Sequence, residues 1–110
     1  MSSLTLRIHE EPATVTIQCS GRLVAGVTDT LYKEVKTRME RGRVIVLDLT
    51  ELAQMDSMGL GTIVRLYASS KSAGCQLELI NLSKRVRELF GITGLLSVLE
   101  SCGEQRMRMP

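Results

Sequence analysis

The residues of this chain that could do chemistry gather in Met55-Asp56-Ser57-Met58-Gly59-Leu60-Gly61, where an acid, a hydroxyl and two glycines stand together. The apolar run VIVLDLTEL precedes them and TIVRLYASSKSAG follows. A serine in this setting has four chemical uses: nucleophile, part of a phosphate-cradling turn, helix cap, or acceptor of a phosphate brought by another enzyme. The nucleophile needs small residues two places before and after it, and Met55 fills the first place while Gly59 fills the second. It also needs a general base, yet the sole histidine, His9, lies on an expected amino-terminal strand. Gly59-x-Gly61 lacks the third glycine of the dinucleotide fingerprint, with Val64 at that place, and no GxxxxGK[ST] occurs. Asp48 and Asp56 lie on a strand and its following loop, so nothing in their positions pairs them for acid–base work. Asp48 reads as a strand-end acid and Asp56 as a residue that shapes the turn.

Two uses stay open for Ser57. As a cap, its hydroxyl accepts a hydrogen bond from an N–H in the first helical turn, a contact worth roughly 1 kcal/mol that needs no further function. As an acceptor on an exposed turn flanked by small residues, it is open to an external kinase, and phosphorylation adds about −1.5 to −2 charges there.

The elements that must position this stretch alternate along the chain. Leu4 to Ile8 and Ala13 to Cys19 alternate apolar with polar around the turn signal Glu11-Pro12, which predicts a hairpin. Gly21 and Gly26 punctuate a loop, after which Thr28 or Asp29 caps a helix carrying Leu31, Val35 and Met39 on one face, ended by Gly42. Val44 to Leu49 is nearly continuous and β-branched, the composition of a strand covered on both faces. Leu60, Ile63, Val64, Tyr67 and Ala68 recur at helical spacing up to a stop at Gly74. Gln76 to Leu82 reads as another strand, and Ser83 caps a helix bearing Val86, Leu89 and Phe90. Gly91 and Gly94 break the chain before the apolar segment Leu95 to Leu99, and the residues beyond Ser101 are expected to fray. The fold class expected is α/β, with a single-layer mixed sheet of four to five strands packed against three to four helices. If Ser57 follows a buried strand and opens a helix, it sits at the carboxyl edge of that sheet, where such folds place ligands and partners.

Composition narrows the function classes. The 110 residues fit one domain with a core from about residue 4 to 100, and with one Phe, two Tyr and no Trp that core must be aliphatic. A net charge of +2 with dispersed basic residues gives no electrostatic case for nucleic acid, and Lys84-Arg85-Val86-Arg87 is not interleaved with stacking aromatics. Cys19, Cys75 and Cys102 are odd in number, show no CxxC spacing and find no histidine at ligand distance, so neither metal nor disulfide is expected. No signal peptide and no apolar span of about 18 residues stands in the sequence, so the expectation is a reducing cytoplasm and no membrane partner. No cofactor is expected, although glycines at a sheet edge also suit a bound nucleotide, which a co-purified ultraviolet absorber would reveal.

These residues resemble the STAS domain, a family named for sulphate transporters and anti-sigma factor antagonists. VIVLDLTELAQMDSMGLG is similar to its strand, short loop and D-S-x-G-L signature, and GCQLELINLS and VRELFGITGLLSVLE resemble its later segments. SGRLVAG resembles its strand-to-helix loop, so the likeness runs from about Leu4 to Glu100. The resemblance implies a non-enzymatic regulator, monomer or weak dimer, that binds an anti-sigma factor of serine-kinase type and so frees a sigma factor for transcription. It implies Ser57 as the phosphoacceptor, a separate phosphatase that restores binding, and Gly21, Arg22, Asp56, Met58, Gly59 and Leu60 as the partner surface. Val24 stands where many antagonists carry an aspartate after the leucine of the G-x-L loop. The alternative within the family is a small accessory subunit docking on a transporter ATPase or other assembly, with Ser57 only a helix cap.

Overall fold

The alternation at the amino terminus becomes an antiparallel hairpin of β1 (Leu4–Glu10) and β2 (Thr14–Leu23), in register from Leu4 opposite Gly21 to Glu10 opposite Val15. The computed structural model describes residues 4–92, 100–101 and 106–108. Helix α1 (Thr28–Lys36) leads to β3 (Val44–Asp48), and β4 (Leu52–Met55) leads to α2 (Ser57–Ala73). Strand β5 (Gln76–Ile80) and helix α3 (Lys84–Ile92) follow, then the short strands β6 (Glu100–Ser101) and β7 (Arg106–Arg108).

The strand order is β1-β2-β3-β5-β7-β6, with β4 paired to the end of β2. β2, β3 and β5 run parallel at the centre. The first five strands form the mixed sheet and three helices pack on it, so the α/β class stands. β6 and β7 add to that sheet, β7 coming from the stretch expected to fray and lying antiparallel to β5. Leu95 to Leu99 and Cys102 lie outside the described residues.

Register explains which residues meet in the core. Ile8, Ile17, Leu47 and Leu79 stand in one row across four strands, and Val15, Ile45 and Leu77 in another. All but Ile8 are almost wholly buried, in one cluster with Leu31 and Val35 of α1, Leu60, Ile63 and Leu66 of α2 and Val86 of α3. An aliphatic interior of this kind is stabilised by apolar area at about 25 cal/mol per Å². Cys19 belongs to it as a small apolar residue: burial first, then the Asp48 charge, pushes its thiol up to about 12. Cys75 is half-buried and burial raises its thiol as well.

Several boundaries differ from expectation for local reasons. β2 continues through Gly21 to Leu23, because Gly21 at φ 97° permits a register shift that turns the strand from β3 toward β4. Thr28 and Asp29 do not cap α1; the loop closes through Val27 N–H to Val24 O at 3.2 Å, and the helix begins one residue early with Val27 at the cap. α1 ends at Lys36 rather than running to Gly42, which occupies a turn at φ 83°, while Met39 still packs against the core beyond the helix. Gly91 lies inside α3 rather than breaking it, whereas Ser83 does cap that helix, accepting from Val86 N–H at 3.2 Å. Gly74 closes α2 in the left-handed region at φ 74°, as its position predicts.

An ionic clamp fastens the hairpin to the opposite end of α1. The Arg43 side chain is 9% exposed and donates to Glu10 Oε2 at 3.2 Å, Pro12 O at 3.0 Å and Arg38 O at 2.9 Å. Arg38 in turn pairs with Glu34 at 2.8 Å and with Glu10 Oε1 at 3.2 Å. Arg43→Ala is expected to lower the unfolding free energy by about 2 kcal/mol, less than the roughly 3–5 kcal/mol of a fully buried pair because Glu10 keeps nearly half its surface in water. Urea unfolding measures it; a loss under about 0.5 kcal/mol would mean that the clamp behaves as a solvated surface pair.

Candidate functional site

Asp56 organises the junction between β4 and α2. Its backbone is extended, so it stands just outside the helix, and its Oδ1 accepts from Gly59 N–H at 2.9 Å. Its Oδ2 accepts from Ala25 N–H at 3.0 Å, on the loop between β2 and α1. One carboxylate therefore caps α2 and ties down a neighbouring loop. The Ala25 and Gly59 N–H groups hold that carboxyl below the usual aspartate value.

The same junction is pinned by a close approach. Asp56 N–H donates to Leu23 O at 3.3 Å, bringing the end of β2 against the first turn of α2. A Cβ at Gly59 would collide with that Leu23 carbonyl and lie 3.0 Å from the side chains of Leu23 and Met55. Gly59 is needed for proximity.

With Asp56 as the cap, Ser57 becomes the first helical residue, exposed, and its hydroxyl makes no hydrogen bond to any described residue. The expectation of Ser57 as a helix cap is thereby corrected. The first turn of α2 carries no other acid. His9 stands opposite Thr16 near the far end of β2 and pairs with Glu11 at 3.0 Å, so it is not brought to Ser57.

The other residues of the expected partner surface separate into two groups. Met58 is 58% exposed, the most open large apolar side chain among the described residues. Arg22 is exposed on β2, in register with Gln54 of β4, and Gly21 is half-buried in the same strand rather than in a loop. Gly59 and Leu60 are buried instead: Leu60 falls on the inward face of α2 with Ile63, so its side chain packs in the core and is not a surface contact. Val64 takes the outward place, 37% exposed, on a face shared with Ser57, Gly61 and Ala68. Arg65 beside it lies over the Tyr32 ring at 4.2 Å, and the Tyr32 and Ser69 hydroxyls are 3.1 Å apart, joining α2 to α1. The sequence pattern set Val64 among the apolar positions of the helix without marking it as outward, and gave Arg65 no role. The available signal was that α2 carries more apolar positions than one inward stripe can use.

Among the described residues no three His, Cys, Asp or Glu side chains cluster as metal ligands would, and no helix is long and apolar enough to cross a membrane.

The STAS domain profile matches residues 5–106. The chain belongs to the STAS domain family. It is 41% identical over 63 residues to an anti-sigma-B factor antagonist of Listeria monocytogenes, an alignment covering 57% of this chain and 55% of that protein. It thus spans about half the length of that relative. It is 26% identical over 98 residues to an anti-sigma-B factor antagonist of Bacillus subtilis, covering 89% of this chain and 90% of that one. Among solved structures, the anti-sigma factor antagonist SpoIIAA in its unphosphorylated form superposes with a TM-score of 0.68 at 23% identity, covering 83% of this chain and 82% of that one. At that identity the likeness concerns the fold.

The Asp56 bridge has a pH signature. A carboxyl held below its unfolded value, near 3.8, contributes stability that is fully present above that value and lost as pH falls through the lower folded one. In Asp56→Asn the amide oxygen still accepts from Gly59, but the Ala25 N–H loses its charged acceptor. The variant is expected to show a shallower loss of stability below about pH 4 and faster hydrogen exchange at the Ala25 amide than the wild type. Unchanged exchange at Ala25 would remove the loop tether from this account.

Proposed function

We propose that this chain is a non-enzymatic regulator in a cytoplasmic partner-switching circuit. Unphosphorylated, it binds an anti-sigma factor of serine-kinase type and so frees a sigma factor; phosphorylation of Ser57 releases it, and a phosphatase acting on Ser57 restores binding. The observation that carries this reading is the exposed Ser57 hydroxyl, which no described residue engages while Asp56 takes the cap. The antagonist names borne by the Listeria and Bacillus relatives support the partner class. Met58 and Val64 beside the hydroxyl, with exposed Arg22 on β2, supply apolar and polar contacts for the partner.

The transfer asks little of the chain itself. Ser57 Oγ attacks the γ-phosphorus of ATP held with magnesium by the kinase, the β–γ bridging bond breaks, ADP leaves, and a base on the kinase takes the hydroxyl proton. The product carries about −1.5 to −2 charges next to an apolar contact face, where like-charge repulsion and desolvation act on the docked partner.

The test is co-expression with histidine-kinase-like ATPases of the same genome, followed by intact mass and binding measurements on three forms. Wild type should gain the mass of one phosphate and Ser57→Ala none. Ser57→Ala should bind the kinase like the unmodified wild type, and Ser57→Asp at least about tenfold more weakly, a loss of about 1.4 kcal/mol. Equal affinities for all three, with no mass gain on the wild type, would overturn the switch and leave an accessory docking subunit.

A further inference from the structure

The face of the sheet turned away from the aliphatic core buries Val46 at its centre and carries polar side chains toward the ends of β1, β2 and β3. Register sets Arg7 beside Gln18 and Gln18 beside Asp48, one transverse row across β1, β2 and β3. Adjacent strands lie about 4.8 Å apart, so the Arg7 and Asp48 backbones are about 10 Å apart with Gln18 between them. The Arg7 side chain makes no ion pair or hydrogen bond to any described residue. At the carboxyl end of this row the chain after β3 folds back, with Gly21 N–H donating to Glu51 O at 3.1 Å, and the result is a cavity of about 210 Å³. Arg7, Gln18, Ser20, Asp48, Thr50 and Glu51 line it.

The Asp48 carboxylate is held in place there. Its Oδ1 accepts from Thr50 N–H at 3.0 Å, from the Thr50 hydroxyl, and from the Asn81 amide at 3.2 Å. Burial alone would raise its pKa, but the hydrogen bonds from Thr50, Asn81 and Gln18 outweigh burial and keep it ionised. Glu51 is exposed beside it and makes no ion pair to a described residue.

The lining thus carries one fixed positive and two negative charges. A bare anion would meet two carboxylates against one guanidinium. A hard divalent cation wants about six or more oxygens and would meet an adjacent arginine, in a place where no three ligand side chains cluster among the described residues. The volume falls below the roughly 300–1,000 Å³ of drug-sized ligand sites, so a small ligand suits it best. What complements the lining is a small molecule with one carboxylate and two cationic groups. We propose that this cavity binds a free basic amino acid of the arginine type, its carboxylate on Arg7 and its cations on Asp48 and Glu51. The site does not involve Ser57 and stands whether or not the chain is a phosphorylation switch.

The experiment is an amide NMR titration of the full chain with l-arginine, agmatine, which lacks the carboxylate, and citrulline, which lacks the guanidinium charge, at matched chloride. Arginine should give saturable shifts at Gln18, Ser20 and Thr50 with Kd at or below about 1 mM, and the other two should bind at least about tenfold more weakly. Arg7 and Glu51 are exposed and unpaired among the described residues, so their substitution spares the fold. Arg7→Ala should reduce arginine to the level of agmatine, and Glu51→Gln should weaken arginine about fivefold or more. Shifts that rise linearly through about 10 mM, or an Arg7→Ala titration that matches the wild type, would overturn the proposal.

Discussion

A single carboxylate accepting two backbone N–H groups from segments far apart in the chain decides the geometry of the junction where β4 meets α2. Asp56 reaches Gly59 in its own helix and Ala25, 31 residues upstream. The two acceptances are linked by the contact of Gly59 with the Leu23 carbonyl, which fixes how far α2 penetrates toward the end of β2. Because it is the Gly59 side of α2 that faces the Leu23 carbonyl, the helix is turned so that Leu60 and Ile63 enter the core while Met58 and Val64 face water. Ser57 is exposed as a consequence of the same rotation. An N-cap and a following residue compete for one place, and here the acid holds it.

The sheet divides the molecule's labour between its two faces. The rows containing Ile17, Leu47 and Leu79 face the helices and supply the aliphatic core, so the opposite rows are free to carry Arg7, Gln18 and Asp48. Gly21 serves both faces. Its left-handed backbone bends β2 away from β3 so that β4 pairs alongside, and its N–H donates to Glu51 O, holding the fold-back that walls the polar cavity. The four residues of β4 then lie between Glu51 on one side and Asp56 on the other.

How much of this was legible beforehand depends on how far each feature's cause lies along the chain. β3 was readable because a run such as Val44 to Leu49 has few uses other than a covered strand, and it proves buried on both faces, with Ile45, Val46 and Leu47 at 5% exposure or less. The hairpin and the Gly74 stop were readable for the same local reasons. β4 was not, since its burial runs inward, outward, outward, inward, without the period of two that marks a strand. The start of α1 was hidden because loop hydrogen bonds, rather than a capping side chain, set it. The choice between Asp56 and Ser57 as cap was hidden more deeply: both are good N-cap residues, and the donor that helps fix Asp56, Ala25 N–H, belongs to another part of the chain. That a strand end and a helix start meet around Asp56 and Ser57 was thus visible in the sequence, while the direction in which their side chains point was set by tertiary contacts.

The same arrangement bears on why the proposed switch would act on a partner and spare the fold. A phosphate on the first residue of α2 would meet the positive end of the helix, a gain of roughly 0.3–1 kcal/mol when exposed, and the ionised Asp56 next to it, a repulsion of similar order in water. Neither effect approaches the apolar burial that holds α2 in place through Leu60, Ile63 and Leu66. A docked protein has no such cancellation. It would have to desolvate the new charges against Met58 and Val64, where water is excluded and the effective dielectric is lower, so the same modification costs the interface far more than it costs the helix.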